Sequence, residues 1–156
     1  MKKDIYSYNE LDTEKLYETL ELVREVFMEF EAPDYSAEGI SEFLHFLDPY
    51  EIMELIEDEK MRIWTCNLND QIIGMIAAGK EHINLLFVHS RHHRKGIAGN
   101  LLDIVIKYFN PVEVSVNSSP YAIEAYKRLG FVETGEEKTE NGIRFTPMKK
   151  TFKTYY

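Results

Sequence analysis

Apolar residues recur along this chain first at helical spacing and then at strand spacing, and the change of period divides it into two stretches. Leu16, Leu20, Val23, Phe27 and Phe30 follow one another four and three residues apart, which puts them in a single stripe down a helix. Asp12 caps that helix, Glu14 lies in its first turn, and Pro33 stops it. Ser36 caps a second, short helix with Ile40, Phe43, Leu44 and Leu47 on its buried side. Asp48-Pro49 starts a third through Ile52, Leu55 and Ile56. Ahead of the helices, Lys3 to Tyr8 reads as an opening edge strand.

Strand patterns take over near Lys60. Met61–Leu68 and Gln71–Gly79 form a hairpin across the Asn69-Asp70 turn, and His82–Val88 adds a third strand. That strand ends in the apolar run Leu85, Leu86, Phe87, Val88, and helical spacing then returns with Ile97, Leu101, Val105 and Tyr108. Pro111 breaks the chain before a short buried strand, Val112–Val116. Ser119-Pro120 opens the next helix and Gly130 closes it. Phe131–Lys138 and Gly142–Lys149, separated by Thr139-Glu140-Asn141, read as a final hairpin. No repeat or low-complexity tract interrupts the order, so residues 1–156 are expected to form one domain. Its class is α/β, a mostly antiparallel sheet flanked by helices, with parallel neighbours where the helix after Val88 crosses to Val112–Val116.

Charge sharpens this picture. The net charge is -9, and most of the acid lies in the helical first stretch. General nucleic-acid binding is therefore not expected, because a phosphate backbone would be repelled. The acids of the first stretch serve either as solvated helix faces or as an attraction for a cationic amine. A lone cysteine, Cys66, leaves no internal disulfide, and no signal-peptide core or membrane-length apolar run is present, so a cytoplasmic setting is expected.

The junction between the Leu85–Val88 run and the following helix carries the chemistry. A helix start presents unpaired N–H groups and a favourable dipole to an anion, and Arg91, Arg94 and Lys95 add positive charge there. Gly96 and Ala98 let a phosphorylated ligand come close to the backbone. Neither the P-loop nor the dinucleotide fingerprint is present. The run His93-Arg94-Lys95-Gly96-Ile97-Ala98 instead resembles the pyrophosphate-binding motif of the GNAT family of acyl-CoA-dependent N-acyltransferases, with His93 where Gln or Arg is usual. Val112–Glu137 resembles the family's other characteristic segment, a strand, Asn117, a helix carrying Tyr126, then Leu129-Gly130-Phe131.

This resemblance implies a GNAT-like fold whose splayed parallel strand pair admits the pantetheine arm, and an N-acetyltransferase that moves an acetyl group from acetyl-CoA to a primary amine by direct attack. His93, Arg94, Lys95, Gly96, Ile97, Ala98 and Gly99 would hold the donor's phosphates, Phe87 and Val88 its pantetheine arm through backbone groups, and Asn117 its amides. Tyr126 would protonate the departing thiolate, although Ala122, Tyr126 and Leu129 also share a helix face on which a tyrosine simply packs. Glu81 and His82, at the start of the strand leading to the donor site, are the candidates for accepting the amine's proton. The acceptor, a small-molecule or peptide amine, would enter between the first helices, the turn after Phe30 and the last hairpin, where Tyr35, Trp64, Phe145, Glu29 and Glu31 are candidate walls. A monomer or homodimer is expected.

Two other classes compete with the enzyme: a non-catalytic acyl-CoA-binding module, and an interaction protein that docks through its acidic, aromatic helices. The cluster His89, His92, His93 lacks the spacing and the additional ligands of a metal site, so no metal is expected.

Overall fold

The computed structural model describes residues 4–152. Its sheet has the strand order β1-β2-β3-β4-β5-β8-β6, with β7 pairing β8 away from that path. β2 (Arg62–Leu68) and β3 (Gln71–Ala78) are antiparallel and joined by Asn69 and Asp70, whose φ values of 51° and 65° give the twist that a two-residue hairpin needs. β1 (Ser7–Glu10) lies on the outer edge of β2, and β4 (His82–Val88) is antiparallel to β3. Helix α4 (Ile97–Phe109) carries the chain to β5 (Glu113–Ser118), which is parallel to β4. After α5 (Ile123–Arg128), the strands β6 (Val132–Glu133), β7 (Lys138–Glu140) and β8 (Ile143–Thr151) complete the sheet.

Helices cover both faces of the sheet. On one side α1 (Leu16–Val26), α2 (Ala37–Phe46) and α3 (Pro49–Glu57) pack their apolar faces on Met75, Ala77, Leu85 and Phe87. On the other, Ile97, Leu101, Leu102 and Val105 of α4 meet Ile76, Ile83, Val114 and Val116. Alternation along β3 sends neighbouring side chains into opposite layers, which is why almost the whole strand is buried. The caps act as their sequence predicts: Ser36 Oγ accepts from Gly39 N–H, and Asp48 Oδ1 from Tyr50 N–H.

Three local expectations change. The opening strand is Ser7–Glu10 and not Lys3–Tyr8, of which Lys3 lies outside the described residues. Asp12 caps a short 3-10 turn, Thr13–Lys15, that feeds α1. At its other end α1 passes into a π-helical turn, Phe27–Glu31, before Pro33 enters a second 3-10 turn. The last hairpin turns at Asn141-Gly142, both at positive φ, so Lys138–Glu140 joins a strand and the stretch expected as one strand from Phe131 is broken in two.

That hairpin is locked onto α2. Gly39 and Gly142 approach so closely that a Cβ on Gly142 would come within 2.6 Å of Ser36 Oγ. The contact brings the end of the chain over the first helices and closes one side of the central cavity.

Candidate active site

β4 and β5 pair at only two positions, His82↔Ser115 and Ile83↔Val116. Beyond them β4 bulges. Ala78 is opposite Ile83 and Ala77 is opposite Leu85, leaving Asn84 as the extra residue. A bulge bends its strand and ends regular pairing, so the two strands part where Asn84 is inserted. His89 N–H donates to Ile73 C=O at 2.8 Å, which sets the alternation along the end of β4. Phe87, in register with Met75, faces its backbone to β3, while Leu86 and Val88 turn theirs toward the gap. Phe87 reaches the gap by its side chain. Leu86, which the sequence reading passed over, has the edge position there.

The chain leaves β4 through a short turn at Ser90–His92, and Arg94 (φ 63°) and Gly96 (φ 79°) both adopt the left-handed conformation before α4 begins. The space above Gly96 is open: a Cβ there would meet nothing within 4 Å. Arg94 and Lys95 are exposed beside the first amides of α4, where Ile97, Ala98 and Gly99 form its opening turn. His93 points inward. Its Nε2 is 2.7 Å from Val88 O and its ring packs against Phe30, so the residue that departs from the motif ties the turn to β4. The other histidines have separate partners, His92 Nδ1 with Tyr6 OH at 3.0 Å and His89 Nε2 with Glu25 at 3.6 Å.

The gap opens into a cavity of about 370 Å³. Glu31 and Tyr35 enter it from the connection between α1 and α2, Phe43 and Phe46 from α2, Asn84 to Phe87 from β4, and Asn117, Ser119 and Tyr126 from β5 and α5. Glu140, Asn141 and Phe145 of the last hairpin close it. Tyr126 is 8% exposed, and its hydroxyl has no hydrogen-bond partner among the described residues. Burial, reinforced by the Glu31 carboxylate, raises its pKa above the usual phenol value. Glu31 is itself pushed up to about 7, mainly by burial, with Asp34 adding to the rise and a hydrogen bond from Ser119 opposing it. Tyr35 is raised by burial and by Glu31.

Glu81 and His82 lie at the far end of β4 and do not line this cavity. Glu81 is exposed and its carbonyl accepts from Ser115 N–H at 2.8 Å. His82 Nδ1 is 2.7 Å from Ser115 Oγ, and burial lowers its pKa. Of the candidate acceptor walls, Tyr35, Phe145 and Glu31 reach the cavity. Trp64 is in the opposite core layer against Tyr108 and Phe109, and Glu29 is exposed outside the cavity. One signal for Glu31 was present in the sequence. It follows Phe27 by four residues, which sets an acid on the apolar stripe of the first helix.

The chain and its fold resemble known proteins. An uncharacterised N-acetyltransferase of Escherichia coli K12, YafP, is 30% identical over 95 residues, and the match spans 60% of this chain and 62% of YafP. A GCN5-related N-acetyltransferase from Rhodopseudomonas palustris shares the fold with a TM-score of 0.79 at 18% identity, covering 97% of this chain and 99% of that one. The PaiA N-acetyltransferase of Thermoplasma acidophilum, solved in complex with coenzyme A, superposes with a TM-score of 0.75 at 18% identity, covering 95% and 99%. The acetyltransferase (GNAT) domain family matches residues 31–152, most of the chain, and to that family the protein belongs.

Proposed function

We propose that this protein, as one acyltransferase domain, moves the acetyl group of acetyl-CoA to a primary amine. The observation that carries the reading is the parting of β4 from β5 at the Asn84 bulge, which joins an open strand edge to a cavity lined by Tyr126. The donor fits the residues around that gap. Backbone N–H groups from Arg94 to Gly99 would take its pyrophosphate at the start of α4, with Arg94 and Lys95 supplying charge. Leu86 offers its edge N–H and C=O, and Val88 its N–H, to the donor's amide-bearing arm, as an added strand would use them, while the Val88 carbonyl is held by His93. Asn117, which lines the cavity from β5, offers its side-chain amide to the same arm.

Transfer needs an uncharged amine, support for the oxyanion and a proton near the departing thiolate. Tyr126 stays protonated at neutral pH because its pKa is raised. A phenol held above its usual value is a weak acid toward a thiol of pKa ~8.5. Its contribution is therefore a hydrogen bond to the developing thiolate, followed by the proton as solvent resupplies it. The lone, buried thiol of Cys66 suits a reducing, cytoplasmic setting.

Calorimetric titration with acetyl-CoA tests the donor site, with Gly96→Glu as the control that fills the open space above the turn. Saturable binding to the parent, lost in the variant, is the expected result. Release of free CoA thiol in the presence of amines then reports transfer. No binding at millimolar acetyl-CoA would end the proposal.

A further inference from the structure

The cavity walls include three carboxylates from three separate elements, Glu31 before α2, Glu42 on α2 and Glu140 on β7, and no lysine, arginine or histidine. Their depths differ. Glu31 is mostly buried beside Tyr126, whereas Glu42 and Glu140 are exposed at the mouth. None of the three makes an ion pair among the described residues. The nearest guanidinium, Arg144, is spent on the Glu137 carboxylate at 3.1 Å and on Asp34 O at 3.1 Å. The walls also carry the aromatic rings of Phe43, Phe46 and Phe145. Tyr126, a residue 8% exposed whose hydroxyl has no hydrogen-bond partner among the described residues, lines the same cavity and independently marks its inner end as a place for a bound group.

We infer that the acceptor is an aliphatic diamine, held with its reactive nitrogen between Glu31 and Tyr126 and its second ammonium between Glu42 and Glu140. This rests on the acetyl-transfer reading and specifies its substrate. Charge sets the two ends: an ammonium satisfies a buried carboxylate that has no other cation, and a second one neutralises the pair at the mouth. A methylene chain suits the aromatic rings that line the cavity along with these acids.

Glu31 also receives the proton. An alkylammonium with pKa ~10.4 must lose one to attack, and the Glu31 carboxylate takes it. The freed nitrogen then bonds to the thioester carbonyl carbon, the C–S bond breaks with its electron pair leaving on sulfur, the proton still surplus on nitrogen passes to that sulfur by way of the Tyr126 hydroxyl, and Glu31 returns its own proton to solvent. The charged and titratable groups facing Glu31 are Asp34 and Tyr35 on its own connection, Tyr121 from the turn before α5 and Tyr126 from α5. Asp34 favours its protonated form, and Ser119, from the end of β5, favours the carboxylate.

The test is thiol-release kinetics on the full chain with acetyl-CoA, comparing 1,4-diaminobutane with butylamine. The diamine should show kcat/KM at least tenfold higher. The double variant Glu42→Gln/Glu140→Gln should erase that preference through KM, and Glu31→Gln should lower kcat about 100-fold, in the usual range for a lost base. In the parent kcat/KM should rise with pH through an apparent pKa near 7, and in Glu31→Gln that limb should move toward the amine's own value. Equal use of both amines would overturn the substrate inference and leave acetyl transfer standing. Failure of either amine to react although acetyl-CoA binds would also overturn it, and absence of acetyl-CoA binding would remove the reading beneath it.

Discussion

Gly39 and Gly99 are each the third residue of a helix, α2 and α4, and local propensity assigns the same gain, up to about 1 kcal/mol, to replacing either by alanine. Their surroundings give the two substitutions opposite signs. A Cβ on Gly99 would stand 3.6 Å from Leu129 Cδ2, an ordinary contact, so Gly99→Ala keeps the gain. A Cβ on Gly39 would stand 2.6 Å from the Gly142 carbonyl carbon and 3.2 Å from Ile143 N, and nearer still to the Gly142 carbonyl oxygen. These are backbone atoms, so no rotamer change relieves the overlap and the hairpin has to move. Overlap with backbone this deep belongs in the upper half of the overpacking range, about 2–3 kcal/mol, which leaves a net loss of about 1–2 kcal/mol after the propensity gain. At about 2–4 °C per kcal/mol for a domain of this size, Gly39→Ala should lower Tm by about 2–8 °C and Gly99→Ala raise it by about 2–4 °C. Thermal unfolding followed by circular dichroism at one pH, without ligand, reads both. Because the hairpin carries Glu140 and Asn141, Gly39→Ala should also raise KM for the amine more than for acetyl-CoA. A Gly39→Ala protein as stable as its parent would show that the hairpin does not bear on α2, and the closed cavity derived from that contact would be wrong.

Two further outcomes follow from the cavity. Tyr126→Phe should reduce turnover about ten- to a hundredfold, the low end for loss of a general acid because a thiolate is a good leaving group. Its Tm should hold, since the hydroxyl removed makes no hydrogen bond among the described residues; a large fall in Tm with unchanged turnover would make Tyr126 a packing residue. Glu31 is raised from 4.5 to about 7 in the folded protein, so between those values the native state binds the proton more readily and stability falls as pH rises. Glu31→Gln should therefore be more stable than the parent at pH 8, by about 2 kcal/mol after allowance for partial solvent access. The difference should shrink toward zero by pH 4.5, and a constant gap across that range would refute the burial of Glu31.

The donor side was legible early because its signals are local. A strand run, a glycine-punctuated basic turn and a helix start occupy consecutive residues, and each follows from side-chain type within a few positions. Asn117 and Tyr126 were found through the resemblance of their segment to a family motif, and both line the cavity. The proton acceptor proposed above has no comparable local signal. Glu81 and His82 were chosen for their nearness in sequence to the donor strand, yet the register Ile83↔Val116 and the Asn84 bulge leave them on the paired side of the gap. Glu31, noted only as a possible wall, is beside Tyr126 because the π-helical turn Phe27–Glu31 carries it across the end of the sheet.

Taken alone, the sequence determined the helices, their caps, the Asn69-Asp70 hairpin and the phosphate turn, since each depends on interactions spanning about four residues. Only the tertiary structure decided which carboxylate is buried, which β4 backbone groups stay free, and that His93 binds Val88 O and does not project from the turn. Those properties depend on what other elements cover or leave open. Glu31 is desolvated by a cavity closed partly by a hairpin more than a hundred residues away along the chain, and no local pattern encodes that distance.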